Sequence, residues 1–432
     1  MTDSVKKVDL GKASLILHKK ARGKIALALK VPIKNRQDLS LAYTPGVAAV
    51  SSHLAKHPNE AGLYSCKGNT VAVVSDGSAV LGLGNIGPLG ALPVMEGKAA
   101  LFKRFANVDA FPIVLATQDV DEIVATVKVI APGFGGINLE DISAPRCFEV
   151  ERRLKAELDI PVMHDDQHGT AMVVLAGLIN ACKVTKRKLA TSRVVVSGAG
   201  AAGTAVAELL HGAGVGDILL LDSIGIIGRH RKDLNGAKSR LLGFTNAGGV
   251  SGGLSEAIAD ADVFIGLSKP GLLTPAHITS MRPKAIVFAM ANPVPEIMPD
   301  VAEAAGAAVV ATGRSDFPNQ VNNSLGFPGI FRGTLDVQAK TITNEMCVAA
   351  AEALADYAVK SGKMGEDYLL PHMDEPGVFV DEAVAVGLKA IEQGVARRIL
   401  TETELRNNAE FLIKRAMKDV EMRQKEGIVK LP

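Results

Sequence analysis

Two pairs of adjacent acidic residues give the strongest chemical signal in this chain. Glu140-Asp141 and Asp165-Asp166 each come directly after a short apolar run. Clustered carboxylates repel one another unless a cation neutralises them, and oxygen ligands suit hard ions such as Mg²⁺ or Mn²⁺. A single acidic residue at a strand-to-helix turn is more commonly a helix cap. Two such pairs favour a divalent-metal site.

The residues between the two pairs predict the elements that would bring them together. Phe148, Val150, Leu154 and Leu158 recur at helical spacing among charged residues, which predicts an amphipathic helix flanked by two strands. Strands joined by such a helix are parallel, so both pairs would lie at one edge of the sheet. Open α/β sheets bind their ligands at that carboxyl edge.

Lys98 is the candidate base. It lies three residues after Met95 and three before Leu101, on the side of a predicted helix that should be buried. Burial lowers the pKa of a lysine and would make a neutral amine available. The alternative is a lysine whose stem runs along the helix edge to solvent. The glycine-rich segment from Gly82 to Gly90, before this helix, could wrap closely around a small ligand.

Tyr43 is the second candidate acid–base group. Pro45 predicts a helix start, which leaves Tyr43 in the preceding turn, where a tyrosine is most often a packed rim residue. Residues 1–42 are predicted to be helical. The apolar side chains expected to contact the core from this segment are Leu15, Ile16, Ile25 and Leu27.

A glycine motif opens the second half of the chain. Val194 to Val196 predict a strand, and the G-x-G-x-x-G that follows would turn the chain closely past a pyrophosphate at a helix N-terminus. A further strand ends in Asp222. Its separation along the sequence from the glycine motif is the one at which an acidic residue accepts hydrogen bonds from ribose hydroxyls. We therefore predict dinucleotide binding. The loop consists of Gly198, Ala199, Gly200, Ala201, Ala202 and Gly203.

Further strands are predicted at 263–268, 285–293 and 308–313, followed by helices from about residue 330. Asn292 lies at one strand end, on the cofactor edge of the sheet. Asn322 and Asn323 lie between proline turns, where paired amides could bind a carboxylate or a nicotinamide, or could only fix the turn.

The composition narrows the classes of function. A chain of 432 residues with 47% hydrophobic and 22% charged residues suits two or three globular domains. A formal net charge of +2 gives no reason to expect nucleic acid or a membrane as partner. The four cysteines are scattered, which favours free thiols in a reducing cytoplasm. His164 and His168 flank the second acidic pair, but without H-E-x-x-H a zinc site is the weaker interpretation.

A cation, a dinucleotide, a buried lysine and a tyrosine together suggest oxidation of a small hydroxy acid. Lys98, neutral because the cation and burial lower its pKa, could take the hydroxyl proton as hydride leaves. If the product is a β-keto acid, the cation would also stabilise the enolate that remains after CO₂ departs. The residues alone do not select malate as the substrate.

The motifs also resemble those of the malic enzymes, in particular the short bacterial type. They occur in the family's order over about residues 40–335. The matching segments are LAYTPGVA, SDGSAVLGLGNIGPLGALPVMEGKAALFK, NLEDI, HDDQHGTA, VVVSGAGAAG, ANPVPE and FPNQVNNSLGFPGIFRG.

The resemblance implies oxidative decarboxylation of (S)-malate to pyruvate and CO₂, and such an enzyme could also decarboxylate oxaloacetate. It implies that Tyr43 is the proton donor and that Lys98, assisted by Asp165, is the general base in contact with the substrate. It places Mg²⁺ or Mn²⁺ on three acidic residues, Glu140, Asp141 and Asp166. It places Asn292 near cofactor and substrate, and Asn323 on the substrate carboxylate.

The fold class expected from these observations is α/β. An N-terminal α/β domain with parallel strands (residues 1–165) would precede a Rossmann-type, doubly wound dinucleotide-binding domain with C-terminal helices (residues 166–432). The family resemblance also implies a homodimer.

Three questions stay open at this level. Larger malic enzymes have a carboxylate-binding arginine where this chain has Ala79, so another group must replace it, in the Gly82–Gly90 loop or on a partner subunit. Asp222 favours NAD, whereas Arg229, His230 and Arg231 nearby leave NADP open. The rival functions are a metal-independent amino-acid dehydrogenase, a cofactor-independent oxaloacetate decarboxylase and a catalytically silent dinucleotide sensor.

Overall fold

The computed structural model describes residues 9–80 and 82–429. Its first part, residues 9–69, is named the N-terminal arm because none of these residues is buried. The predicted helix over 1–42 is present only in pieces: residues 22–35 are not helical, and residues 1–8 lie outside the described ranges. The arm contains α1 (Leu10–Ala21), α2 (Arg36–Ala42), α3 (Val47–Lys56) and α4 (Ala61–Tyr64).

The predicted core contacts of the arm are wrong for the single chain. Leu15 is 75% exposed and Leu27 is 81% exposed, and Ile16 and Ile25 are also exposed. The arm contacts the rest of the chain through polar groups. Lys24 donates to the Pro93 carbonyl oxygen at 2.6 Å. These apolar side chains therefore form a surface that this chain does not cover by itself.

The first sheet has four parallel strands in the order β2-β1-β3-β4. Its strands are rich in Val, Ile and Leu, as expected of parallel strands covered on both faces. The strands are β1 (Thr70–Ser75), β2 (Asp109–Val114), β3 (Gly136–Leu139) and β4 (Val162–His164). The helices that connect them are α5 (Gly87–Ala106), α6 (Val120–Ile130) and α7 (Arg146–Glu157). The predicted strand–helix–strand unit around the acidic pairs, β3-α7-β4, is confirmed.

A long helix, α8 (Asp165–Thr185), leaves the first sheet. It begins at the second acidic pair, so Asp165 and Asp166 lie in its first turn, where negative charge interacts favourably with the helix dipole. Within the described ranges, α8 is the one helix that could cross a membrane by length and composition, but most of it is buried in the protein.

The second sheet has five parallel strands in the order β6-β5-β7-β8-β9, which confirms the predicted doubly wound domain. The strands are β5 (Arg193–Ser197), β6 (Asp217–Leu221), β7 (Val263–Gly266), β8 (Ala285–Ala289) and β9 (Ala307–Thr312). The helices around it are α9 (Ala201–Gly212), α10 (Gly236–Leu241), α11 (Leu254–Ile258), α12 (Pro275–Ser280) and α13 (Pro299–Ala304).

The C-terminal helices follow the second sheet but pack back towards the first. Helices α14 (Phe327–Asp336) and α17 (Glu402–Lys425) contact α5, and α16 (Gly377–Glu392) packs between them, while α15 (Asn344–Lys360) packs on α8. Short 3₁₀ helices occur at Pro58–Glu60, Cys66–Asn69, Ala131–Gly133, Leu189–Thr191 and Asn323–Leu325. A single division of the chain at residue 165 stays a prediction.

Candidate active site

The two acidic pairs lie together at the carboxyl edge of the first sheet. Strands β3 and β4 are neighbours, with Leu139 opposite His164, so Glu140-Asp141 and Asp165-Asp166 leave adjacent strands at the same level. Glu140, Asp141 and Asp165 are buried, and Asp166 is partly exposed. The placement predicted from the apolar runs is confirmed.

Lys98 lies between these carboxylates. It is on α5, only 7% exposed, on the buried side that its spacing predicts. Its Nζ donates to Asp165 Oδ2 at 2.5 Å and lies 2.9 Å from Glu140 Oε1. The same nitrogen lies 4.1 Å from the centroid of the Phe327 ring on α14. One lysine thus joins the ends of two adjacent strands.

The protonation state expected for Lys98 is corrected by this geometry. Burial lowers the pKa of Lys98, but the negative charges of Asp165 and Glu140 and their hydrogen bonds outweigh burial, and the net direction is upward. In the protein alone, Lys98 is therefore an ammonium group and not the neutral amine that burial by itself suggests.

The carboxylates are all more difficult to ionise than usual. Burial, opposed by the charge of Lys98, raises the pKa of Glu140 and of Asp165 to about 7, and that of Asp166 to about 6. Burial, together with repulsion by Asp166 and Glu140, raises the pKa of Asp141 to about 8. Such a cluster would gain stability from a further positive charge.

The surroundings of Asp141 fit a divalent cation. Asp141 has a positive φ of 54°, a conformation that is uncommon for a non-glycine residue. Its backbone N–H donates to Asp166 Oδ2 at 2.8 Å, and its carbonyl oxygen accepts the N–H of Ala79 at 2.9 Å. Asp141 Oδ2 is buried without a hydrogen-bond partner, and so is Asp165 Oδ1. Buried carboxylate oxygens without partners are costly, and a cation would satisfy them.

The predicted ligands are close together, but two of them are already engaged. Glu140 Oε2 accepts from the Asn138 amide at 2.9 Å, and its other oxygen faces Lys98. Asp166 Oδ2 accepts from the backbone of Asp141. In residues 9–80 and 82–429, no group of three acidic, histidine or cysteine side chains is arranged as a ready cation site. Each Glu140 oxygen has one such partner and keeps a further lone pair with which it could bind a cation.

Asn323 reaches this cluster from far along the chain. It begins the 3₁₀ helix before α14, and its Nδ2 donates to Asp165 Oδ2 at 2.7 Å. Asp165 therefore receives hydrogen bonds from both Lys98 and Asn323. The structure brings Asn323 to the predicted place, whereas its contact with a substrate carboxylate stays a prediction.

The glycine loop has the stereochemistry that the motif requires. Gly198 has a φ of 117°, and a Cβ at Gly203 would lie 1.7 Å from the Gly198 carbonyl oxygen. A Cβ at Gly200 would meet nothing within 4 Å, so that side of the loop is open to a ligand. Helix α9 begins at the next residue without a side-chain cap, which leaves its first N–H groups available.

Asn292 follows β8 at the carboxyl edge of the second sheet and is exposed. Its side chain has no hydrogen bond to any described residue. Its predicted contact with cofactor and substrate remains untested.

Arg146 is a candidate that the sequence interpretation missed. Its Nη2 donates to Asp76 Oδ2 at 3.1 Å, and Asp76 directly follows β1 and is buried. The Arg146 Nε is buried without a partner. The available signal was its position six residues after Glu140, at the start of α7. This arginine is a cation on the same sheet edge as Ala79.

Tyr43 is not brought to Lys98 within one chain. It lies at the end of α2 and is 65% exposed. Among the described parts of the chain, its hydroxyl has no hydrogen-bond partner. The turn placement before Pro45 is confirmed, but a catalytic contact inside a single subunit is not.

The two histidines near the second acidic pair support the turn between β4 and α8. The buried Glu151 accepts the backbone N–H of His164 at 3.0 Å and lies 2.9 Å from His168 Nε2. Burial lowers the pKa of His164 to about 4, which keeps its ring neutral. His168 is thus engaged by a carboxylate and does not converge with His164 on a common ligand.

Two family models match the chain. The malic enzyme N-terminal domain matches residues 22–155, and the malic enzyme NAD binding domain matches residues 167–392. These matches include Glu140-Asp141 and the whole glycine loop, whereas Asp165 and Asp166 fall between the two matched ranges.

Curated relatives and solved structures agree with this match. The bifunctional malic/malolactic enzyme of Bacillus subtilis is 54% identical over 391 residues, 90% of this chain and 95% of that protein. The NAD-dependent malic enzyme of Geobacillus stearothermophilus is 53% identical over 91% of this chain and 82% of its own length. The malic enzyme structure from Pyrococcus horikoshii has a TM-score of 0.93 at 47% identity, covering 96% of this chain and 99% of that one.

Proposed function

The chain belongs to the malic enzyme family, and we propose that its chemistry takes place where Lys98 meets the acidic pairs at the edge of the first sheet. Enzymes of this family catalyse NAD(P)-dependent oxidative decarboxylation of malate with a divalent metal, and this chain is such an enzyme. The observation that supports the proposed location is the contact of Lys98 with both Glu140 and Asp165.

We propose Lys98 as the general base, with Asp165 as its proton partner. Because Lys98 is an ammonium group beside two carboxylates, its own proton must first move to Asp165 Oδ2, 2.5 Å away. The neutral amine then accepts the hydroxyl proton of malate as hydride passes to the nicotinamide. The raised pKa of Asp165, about 7, makes this carboxylate a better proton acceptor than an ordinary aspartate, and a cation that competed with Lys98 for Glu140 would lower the pKa of the lysine and favour the transfer.

Glu140, Asp141 and Asp166 would hold Mg²⁺ or Mn²⁺. A bound cation would polarise the malate hydroxyl, compete with Lys98 for the Glu140 carboxylate and stabilise the enolate. Asn323 and Arg146 would contact the substrate carboxylates, and Arg146 is our candidate to replace the arginine absent at Ala79. Asn292 would lie between nicotinamide and substrate, and Tyr43 would protonate the enolate carbon.

We propose that the enzyme is a homodimer. The N-terminal arm exposes large apolar side chains along most of its length, and grouped exposed apolar side chains mark interaction surfaces. A second copy covering the arm would bury them and could receive Tyr43 at its own site. The side chains in question include Leu10, Leu15, Leu27, Leu29, Leu41 and Leu63. A cytoplasmic location is also proposed, since all four cysteines are free thiols.

The direct test of this function is a spectrophotometric assay with malate, Mn²⁺ and each cofactor in turn. We expect NAD(P)H to appear, pyruvate to accumulate in equal amount, and EDTA to abolish both. A metal-independent amino-acid dehydrogenase would not be inhibited by EDTA and would not oxidise malate. A silent sensor would bind the dinucleotide without turnover, and a cofactor-independent oxaloacetate decarboxylase would produce no reduced cofactor; any of these results would refute the proposal.

Asp166→Asn is expected to raise the Mn²⁺ concentration required for half-maximal activity at least about tenfold. The amide keeps an oxygen that can accept the Asp141 N–H, so the local backbone should be preserved while one ligand charge is lost. Mn²⁺ binding measured by electron paramagnetic resonance provides a readout that is independent of turnover. Asp159→Asn, at the opposite end of β4, is the control. An unchanged Mn²⁺ affinity would contradict the assignment of Asp166.

A further inference from the structure

Glu296 is a buried carboxylate that joins two strand ends at the carboxyl edge of the second sheet. Its side chain is completely buried. Glu296 Oε1 accepts the backbone N–H of Ser268 at 3.2 Å, and Oε2 accepts the backbone N–H of Ala291 at 2.9 Å. Ser268 follows β7 and Ala291 follows β8, and these two strands are neighbours. One carboxylate therefore ties the ends of two adjacent strands together.

The strand that faces Glu296 leaves space for its carboxyl group. Gly266 is the last residue of β7, and a Cβ at this position would lie 2.3 Å from Glu296 Cδ. Any other residue there would displace the carboxyl group. The main chain of Glu296 is also fixed, because its carbonyl oxygen accepts the N–H of Leu273 at 3.0 Å. The position of the carboxylate is thus determined both by its own main chain and by the glycine opposite.

Backbone N–H groups, and not a cation, compensate the charge of Glu296. In residues 9–80 and 82–429, no lysine, arginine or histidine forms an ion pair with it. By contrast, Asp222, at the end of β6, pairs with Arg231 and Lys238. Burial raises the pKa of Glu296, whereas the two N–H donors oppose this shift because they favour the ionised form. A buried carboxylate is costly without such donors, so both hydrogen bonds are needed to retain it.

The two tied strand ends lie on one side of the glycine loop. The order β6-β5-β7 places this loop, which follows β5, between the ends of β6 and β7. Doubly wound sheets bind a dinucleotide across such a reversal of strand order, with the adenosine ribose at the β6 end and the nicotinamide half on the other side. Ser268 Oγ lies 3.2 Å from Ser197 Oγ, beside the loop, and Ala291 directly precedes Asn292. Glu296 therefore connects the border of the glycine loop with Asn292.

We propose that Glu296 is a positioning residue for the nicotinamide half of the cofactor site. By fixing the ends of β7 and β8 at one spacing, it holds Asn292 and the backbone beside it where the nicotinamide must lie for hydride transfer. Glu296 is completely buried and acts through these strand ends, not by contact with cofactor or substrate. The inference rests on the proposed function, because it assigns a further residue to the same reaction.

The first test compares the wild type with Glu296→Gln. Glutamine keeps the size of the side chain but has one acceptor oxygen, so one of the two hydrogen bonds should be lost. Without ligands, hydrogen–deuterium exchange at the Ser268 and Ala291 amides should be slow in the wild type and faster at one or both in the variant. By isothermal titration calorimetry, the variant should bind NADH or NADPH about tenfold more weakly, as expected from losing a hydrogen bond to a charged group. Its affinity for 5′-AMP, which occupies only the adenosine half, should not change.

An isotope effect separates a loss of positioning from a loss of folded protein. With malate deuterated at C2, the isotope effect on kcat/KM should rise in Glu296→Gln, because a poorly oriented nicotinamide makes hydride transfer more rate-limiting. A smaller folded fraction would lower the rates with both malates equally and leave the isotope effect unchanged.

Two further variants complete the test. Gly266→Ala should reproduce the effects of Glu296→Gln, because the added Cβ would displace the carboxyl group without changing its charge. Glu404→Gln is the matched control: Glu404 Oε2 also accepts a backbone N–H, that of Thr401 at 2.8 Å, but at the start of α17. It should leave every readout unchanged. If Glu296→Gln or Gly266→Ala fails to fold, the other decides the point.

Several results would overturn the positioning role and leave the proposed function in place. These are equal losses of 5′-AMP and dinucleotide binding, an unchanged isotope effect, and rapid exchange of both amides in the wild type. Failure of the wild type to bind either ligand would instead count against the dinucleotide site itself.

Discussion

Replacing Lys98 by alanine lowers the turnover of malate by about 10²- to 10⁴-fold, the range over which a positioned general base accelerates proton transfer. The loss should appear in kcat, because the amine acts on the reacting hydroxyl. It should also appear in oxaloacetate reduction, the reverse of the hydride step. The measurement is the initial rate with saturating malate, Mn²⁺ and cofactor in each direction.

The control for this prediction is Lys103→Ala. Lys103 lies on the same helix, α5, but pairs with Asp109 away from the acidic pairs and is partly exposed. Added methylamine should restore part of the activity of Lys98→Ala, since a free amine can occupy the space left by the side chain. Thermal unfolding of both variants shows how far the unpaired Glu140 and Asp165 destabilise the fold. Turnover retained by Lys98→Ala within about tenfold of the wild type would rule out the assignment of a general base.

Tyr43→Phe should affect protonation of carbon more than transfer of hydride. We expect the exchange of pyruvate methyl protons in D₂O to slow about a hundredfold or more, because the phenol supplies the proton to the enolate. Oxaloacetate reduction should change much less. Nuclear magnetic resonance of pyruvate and absorbance of the reduced cofactor give the two rates. Equal losses in both would indicate that Tyr43 only positions other groups.

A mixing experiment shows which subunit Tyr43 serves. If it completes the site of the second copy, dimers formed from Lys98→Ala and Tyr43→Phe chains contain one intact site. Mixing and reassociating the two inactive variants should then restore activity to about a quarter of the wild-type value in a twofold-symmetric dimer. If Tyr43 serves its own chain, no site in the mixture is intact and activity stays absent. Light scattering of the wild-type chain provides the oligomeric state in parallel.

Local sequence patterns correctly predicted that both acidic pairs lie at the carboxyl edge of the first sheet. Each acidic pair follows an apolar run, and a helical pattern lies between the two runs. This order predicted two parallel strands that end at the same level, as observed. The burial of Lys98 followed from its spacing to Met95 and Leu101. These inferences succeeded because the interactions that determine them lie within a few residues along the chain.

The remaining features depend on contacts between distant residues. Asn323 reaches Asp165 across 158 positions, and no periodicity near either residue indicates this. The charge of Lys98 depends on two carboxylates that only the folded chain brings to it, so burial alone predicted the wrong direction for its pKa. Asp222 matched the motif spacing, but its availability depends on Arg231 and Lys238 in a later segment.

The N-terminal arm shows a further limit of sequence interpretation. Its apolar side chains were expected to contact a core, and the sequence cannot distinguish the core of one chain from the surface of a second chain. In the single chain these side chains are exposed. A hydrophobic pattern therefore predicted that the surface is covered, but not by which molecule.

The continuity of α8 has a mechanical consequence. Asp165 and Asp166 form the first turn of the mostly buried helix α8, which packs against α9, the helix that begins in the glycine loop. Glu140 and Asp141 instead follow strand β3 of the first sheet. Any rotation of one half of the enzyme against the other at the junction of β4 and α8 changes the spacing between these two sets of oxygens. A dinucleotide that favours one angle must then change the affinity for the divalent ion, and the ion must change the affinity for the dinucleotide by the same factor.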